Sequence, residues 1–317
     1  MPVNLDKPHL WKVDIAQSVD LYNDWFMNFA PRTYRETRVR VTKDVEAMLR
    51  RTQNLSNVTP TELREHPGIL PALRMSTAPP LARDRLVGLA SVKKSLVETM
   101  EKDGILPARL GEGQVETELR KIAALFGKLA DVDIFHWLPT GAKPTKGEVR
   151  RAATIVADRL CGSQADPIVR NAQETRQLCV IKAWLEGRGY ADHSGRIKLD
   201  EMEPGMFAFR LPVAGMKEDA TPVNIPVDVV VQPTTSQPGA LPLMIEAKSA
   251  GDFTNVNKRR KEEATKVQQL RRKYGSQVRY VLFLCGYFDT GYLGYEAAEG
   301  IDWAWEHRID DLTEFGL

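Results

Sequence analysis

The sequence predicts a mixed α+β protein: an α/β core in which helices flank a mixed sheet, with a helical region before it. Three observations predict this. Up to residue 165 the apolar patterns have helical spacing and are cut by turn signals. Beyond Asp166-Pro167, short runs rich in Val and Ile take over. Val278–Cys285 is continuously apolar, the mark of a strand buried on both faces.

In chain order, helices are expected near Ile15–Phe29, Thr42–Thr52, Leu81–Lys102, Gln114–Leu129 and Lys146–Leu160. Ala30-Pro31, Pro67-Gly68, Pro79-Pro80 and Asp103-Gly104 separate them. Thr59-Pro60-Thr61-Glu62 spells a helix start, with Thr59 as N-cap and Pro60 at the first helical position. A helix over Pro167–Glu186 opens the second part and stops at Gly187–Gly189. Strands follow at Met206–Leu211, Val223–Val231 and Leu241–Ala247, then a charged helix over Asn257–Tyr274 and the strand Val278–Cys285. The division is placed at 165: residues 1–165 form the helical region and 166–317 the core.

Composition narrows the function classes. No apolar run is long enough to span a bilayer, and the N-terminus lacks the basic-then-apolar pattern of a secretory signal. The three cysteines form no Cys-x-x-Cys pair, and the five histidines have no metal-ligand spacing. A soluble, cytoplasmic protein is expected, with no membrane role. A net charge of +2 is too small to argue for a polyanionic partner by itself.

Chemistry concentrates on two strands. In Val223–Val231 the odd-numbered Val and Ile residues share one face, which leaves Asp228 on the other in a run almost free of charge. A carboxylate there is costly unless hydrated, paired or bound to metal. In Leu243-Met244-Ile245-Glu246-Ala247-Lys248, period two puts Glu246 and Lys248 on one face. Antiparallel pairing of the two strands brings Asp228 and Glu246 together beside Lys248. Two hard carboxylate oxygens suit Mg²⁺, and a lysine there can orient or deprotonate water or offset charge on a phosphate. Glu-x-Lys alone is also the spelling of an ordinary surface charge pair. Glu174 falls on the apolar stripe of Leu178, Ile181 and Leu185, either facing the same centre or exposed at a frayed end.

Candidate DNA-backbone contacts follow Lys248. Ser249, Asp252, Thr254 and Asn255 lie in a polar turn, Asn257 is a plausible N-cap, and Lys258, Arg259 and Lys261 open a basic helix face that Lys266, Arg272 and Lys273 continue. Arg32 and Arg35 belong to a second basic region, and Arg74 and Arg83 to a third. Each has the bland alternative of a solvated face or an internal ion pair.

At these positions the sequence resembles the PD-(D/E)XK nuclease superfamily. Asp228 matches the metal-binding aspartate, Glu246-Ala247-Lys248 the (D/E)-x-K element, and Glu174 the helix glutamate of many members. Pro226 lies two residues before the aspartate rather than one. A closer likeness is carried by Ile245–Asn255, Asn257–Ala264, Gly286–Tyr295, Asp302–Arg308 and, near the N-terminus, Trp25-Phe26, Phe29-Ala30-Pro31 and Leu73–Leu86. Over nearly the whole chain these resemble the XamI-type II restriction endonucleases.

The resemblance implies a restriction-endonuclease-like core and Mg²⁺-dependent cleavage of double-stranded DNA at a short palindrome of the GTCGAC kind. It also implies a metal held by Asp228, Glu246 and the backbone carbonyl of Ala247, a homodimer, and a partner methyltransferase that protects host DNA. Residues 1–165 are then expected to serve recognition or dimerisation. A structure-selective or repair nuclease with the same centre, and a non-catalytic DNA-binding protein on a nuclease-like fold, are the alternatives.

Overall fold

The computed structural model describes residues 2–237, 239–254 and 256–317, with residues 256–260 described by backbone only. Ten α-helices run in chain order among them: α1 Pro8–Arg51, α2 Pro60–Glu65, α3 Leu70–Met75, α4 Arg83–Ala90, α5 Lys94–Lys102, α6 Glu112–Leu129, α7 Trp137–Thr140, α8 Lys146–Glu186, α9 Val256–Tyr274 and α10 Thr290–Ala298. Six strands, β1 Ala191–Asp192, β2 Met206–Met216, β3 Pro222–Val231, β4 Leu243–Ala250, β5 Arg279–Gly286 and β6 Asp302–Trp305, form one sheet in sequential order. β2–β3 and β3–β4 pair antiparallel, while β1–β2, β4–β5 and β5–β6 pair parallel. The mixed α+β class expected from sequence is therefore found. No helix among the described residues is long and apolar enough to cross a membrane.

Two compact units divide the chain: Met1–Phe29 with Arg170–Leu317, and Ala30–Val169. The second division lies close to the expected 165. The first was not anticipated, because it assigns the opening residues to the sheet unit. The reason is long-range: the Asp302 carboxylate accepts backbone N–H groups from Val3, Asn4 and Leu5, and Trp11 meets Trp303 edge-on at 5.6 Å. The turn signals at Pro31 and Pro167 also misled. Both prolines lie inside continuous helices, α1 and α8, where each removes one backbone N–H without ending the helix. The Leu81–Lys102 helix is instead two, broken at Ser91, whose φ of 48° is left-handed. The Thr59 cap forms as expected, its hydroxyl accepting the Glu62 N–H at 3.2 Å.

The unit Ala30–Val169 packs its helices around one apolar core that includes Val45, Leu70, Leu96, Ile122 and Val156. In the other unit the sheet is covered on both faces. One face carries Met244, Leu282 and Leu284 and packs with Val267 and Leu270 of α9 and Leu293 of α10. The other carries Leu243, Ile245 and Phe283 and packs with Ile181 and Leu185 of α8.

β3 departs from the simple alternation expected of it. Ile225, Val227 and Val230 go to the α9 face, whereas Val229 and Val231 go to the α8 face. The odd-numbered residues thus change sides at Asp228. In the β2–β3 ladder Phe209 faces Val229 and Leu211 faces Val227, and between them Arg210 takes a left-handed φ of 52°. A residue in that conformation re-aims the strand as a bulge does. The kink places Asp228 where the sheet changes its packing partner.

Candidate active site

β3 and β4 pair through Val229 with Ile245, Val230 with Met244 and Val231 with Leu243. Asp228 lies just beyond the end of this ladder, close enough to Glu246 to feel its charge. Glu246 and Lys248 share the parity of Met244, so both lie on the α9 face. The Ala247 N–H donates to Asp228 Oδ2 at 2.9 Å, tying the aspartate to the neighbouring strand. Asp228, Glu246 and Lys248 therefore meet as the sequence led us to expect.

Two residues of α9 complete the cluster. Glu263, with no solvent exposure, lies with Oε1 2.9 Å from Lys248 Nζ, and its Oε2 accepts the Tyr280 hydroxyl at 2.7 Å. Lys248 Nζ also donates to Glu246 Oε1 at 2.9 Å, and Lys266 Nζ donates to the same oxygen. Sequence reasoning placed Lys266 on a solvent-facing basic stripe. Its long stem instead brings the ammonium back to the sheet, as amphipathic chains do. Glu263 was legible only as a charge on an otherwise apolar stripe with Val267, Leu270 and Tyr274.

The electrostatics are unbalanced in a specific way. Burial pushes the Asp228 carboxyl up to about 6, and the Glu246 charge adds to that push. Burial acts to lower the Lys248 ammonium, but the Glu263 and Glu246 carboxylates outweigh it and hold the group above its ordinary value. Glu246 is 3% exposed, and its Oε2 is buried with no hydrogen-bond partner. Asp228 and Glu246 thus offer hard carboxylate oxygens side by side, one of them buried and unpartnered. Those two donors fit a hard divalent ion. No group of three or more His, Cys, Asp or Glu side chains suited to a metal exists among the described residues, so such an ion would draw its other ligands from backbone, water or substrate.

Glu174 is not gathered into this cluster. The expected apolar stripe is found, with Ile181 and Leu185 buried and Leu178 partly buried against the same core, but towards its N-terminal end Gln173 and Gln177 take the buried positions rather than Glu174. Gln177 Nε2 donates to the carbonyls of Lys248 and Phe283 at 3.3 and 3.4 Å, which is how a polar side chain is accommodated on a core face. Glu174 turns outward and pairs with Arg210 at 2.7 Å, its side chain 42% exposed.

The nucleic-acid candidates divide. Ser249 is half-buried, and Asp252 and Thr254 are exposed, with Asp252 Oδ1 accepting the Thr254 N–H at 2.8 Å in a tight turn. Lys261 is exposed on α9. Asn255 lies outside the described residues, as do the side chains of Asn257, Lys258 and Arg259. The helix begins at Val256, so Asn257 is already within it rather than at its cap. In the helical unit Arg35 is exposed, Arg32 pairs with Glu36 at 3.1 Å and Arg83 lies 3.8 Å from Glu98. Arg74 is buried against Glu101 and is no surface cation.

Comparison with known proteins gives two matches. The family model for the XamI restriction endonucleases matches residues 53–305. A curated relative, type II restriction enzyme SalI from Streptomyces albus G, is 57% identical over 318 residues, covering 99% of both chains. No solved structure matches.

Proposed function

This chain belongs to the XamI restriction endonuclease family and is a type II restriction endonuclease, and from that premise we propose that Asp228, Glu246 and Lys248 are its hydrolytic centre, with Mg²⁺ as cofactor. The observation that carries the reading is the Asp228–Glu246 pair on one sheet face, with one buried carboxylate oxygen lacking a partner. Asp228, Glu246 and the Ala247 carbonyl would hold the ion. Bound there, it supplies Lewis-acid polarisation of the scissile phosphate and a more acidic water.

The chain's own groups do the rest. The Ala247 N–H fixes Asp228. Lys248 stays an ammonium between two carboxylates, so it offers positive charge where the phosphate gains negative charge rather than taking a proton from water. The substrate is duplex DNA with a short palindrome, GTCGAC-like by family resemblance, read by two copies of the chain because a two-fold site matches a two-fold protein. Ser249, Asp252, Thr254 and Lys261 follow Lys248 closely enough in sequence to touch the backbone beside the scissile phosphate. The helical unit serves recognition or dimerisation. A methyltransferase protects host DNA in the cytoplasm where the enzyme works.

The test is a digest of a sequenced plasmid with purified protein and Mg²⁺, with the ends mapped. Discrete fragments sharing one palindrome are expected. A smear, or cutting confined to branched or single-stranded DNA, would replace this reading with that of a repair nuclease.

A further inference from the structure

We propose that Glu263 of α9 is a positioning residue of the nuclease centre, its buried carboxylate holding the Lys248 ammonium against the Asp228–Glu246 pair. The proposal rests on the nuclease reading of that pair and adds to it a residue from a different element.

Four observations carry it. Glu263 is fully buried, and a buried carboxylate is costly unless another group needs it. Its two oxygens divide between two partners: Oε1 is 2.9 Å from Lys248 Nζ, and Oε2 accepts from the Tyr280 hydroxyl at 2.7 Å. Tyr280 is itself buried on β5, paired in register with Met244 of β4, so the sheet that carries Glu246 also anchors Glu263. Finally, Lys266 from the next turn of α9 contacts Glu246. The helix thus presents an acid to the strand's lysine and a lysine to the strand's acid.

The physical need is clear. Lys248 sits on a flexible four-carbon stem with three rotatable donors, and fixing it in one rotamer requires more than one contact. Its other contact, Glu246 Oε1, belongs to a carboxylate that the site offers to a divalent cation. Once that cation draws on the Glu246 charge, Glu246 holds the lysine less strongly. Glu263 has no such second duty, since Tyr280 takes its other oxygen. It is the contact that persists when the site is loaded.

The experiment compares Glu263→Gln, Glu263→Asp, Asp228→Ala and Lys248→Ala with the parent chain. It reads single-turnover cleavage in Mg²⁺, DNA affinity in Ca²⁺, and acylation of Lys248 in the metal-free protein by an amine-reactive reagent, mapped by mass spectrometry. Glu263→Gln should lower the cleavage rate by about a hundredfold while DNA affinity stays within about threefold. Lys248 should acylate faster, because its ammonium has lost a partner, and Glu263→Asp should recover part of the rate. In a Lys248→Ala background the Glu263→Gln change should cost nothing further. Wild-type cleavage and unchanged Lys248 reactivity in folded Glu263→Gln would overturn the proposal while an inactive Asp228→Ala leaves the centre standing. An active Asp228→Ala would instead sink the centre itself. If Glu263→Gln fails to fold, Tyr280→Phe frees the same carboxylate with little change of shape. A cleavage loss of about tenfold with faster Lys248 acylation supports the proposal, and wild-type values of both overturn it.

Discussion

Two regions of the molecule bury charge, and they do it differently. In the helical unit Arg74 and Glu101 form a closed pair. Arg74 Nη2 donates to Glu101 Oε2 at 3.1 Å, its Nε donates to Glu101 Oε1, and its Nη1 donates to the Leu81 carbonyl. Both carboxylate oxygens are answered. In the sheet unit, Glu246 crowds two lysines onto one oxygen and leaves the other without a partner, while Asp228 is driven toward its protonated form. The closed pair is finished structure. The open one keeps an unpaired carboxylate oxygen and a raised carboxyl even with two lysines beside it. On the nuclease reading proposed above, what separates the two is the residual imbalance, not the amount of buried charge.

The sharpest way to break this contrast is to remove one carboxylate from each region. Asp228→Asn should lower cleavage by more than about a thousandfold, because the metal loses a charged ligand and the transition state loses its electrostatic support. Its melting temperature near neutral pH should not fall, since the change removes a buried charge that Glu246 repels. Glu101→Ala should do the reverse. It leaves the Arg74 guanidinium buried and unpaired, at a cost of about 3–5 kcal/mol in unfolding free energy, with cleavage per folded molecule unchanged. Denaturant melts and single-turnover rates on both variants settle it. A destabilised Asp228→Asn, or a catalytically dead but folded Glu101→Ala, would erase the distinction.

A pH experiment sharpens the same point with a smaller effect. Asp228 titrates near 6 in the folded chain, above its ordinary value, so the folded state holds this proton more tightly than the unfolded state does. The stability it contributes is present below the ordinary carboxylate range and is lost as pH rises through about 6. The metal-free protein should therefore lose stability over that window, and Asp228→Asn should lose less. A divalent ion competes with that proton, so Mg²⁺ should raise the melting temperature more at pH 7.5 than at pH 5.5. An equal Mg²⁺ effect at both values would mean that Asp228 is not a metal ligand.

How much of this was legible in the sequence depended on range. Asp228, Glu246 and Lys248 stood out because strand alternation turns a lone charge among apolar residues into a statement about one face. The kink that reorients Asp228 was not legible, since it rests on Arg210 in another strand adopting a conformation that its type does not demand. Helical phase gave Glu263 its buried face but could not say that Lys266 would reach back to Glu246, because side-chain reach is not a property of the wheel. The prolines at 31 and 167 carried strong local signals that the surrounding helices override. The attachment of Val3, Asn4 and Leu5 to Asp302 joins positions nearly the full chain apart, and no local pattern encodes it.

Glu174 supplies the smallest effect and the cleanest test of phase. The sequence left it either facing the metal centre or exposed at a frayed end, and in the structure Gln173 and Gln177 take the buried positions while Glu174 pairs outward with Arg210. An exposed pair of this kind contributes roughly 0.2–1 kcal/mol, screened by salt. Glu174→Ala should thus shift stability by no more than that and change the cleavage rate by less than about threefold. Arg210 makes the outcome more informative, because it lies between the two β2 residues that flank Asp228 in the ladder. Losing Glu174 leaves Arg210 an exposed, unpaired cation, and any change in rate should therefore depend on ionic strength. A hundredfold, salt-independent loss in folded Glu174→Ala would return the residue to the metal centre and show that α8 rearranges when DNA is bound.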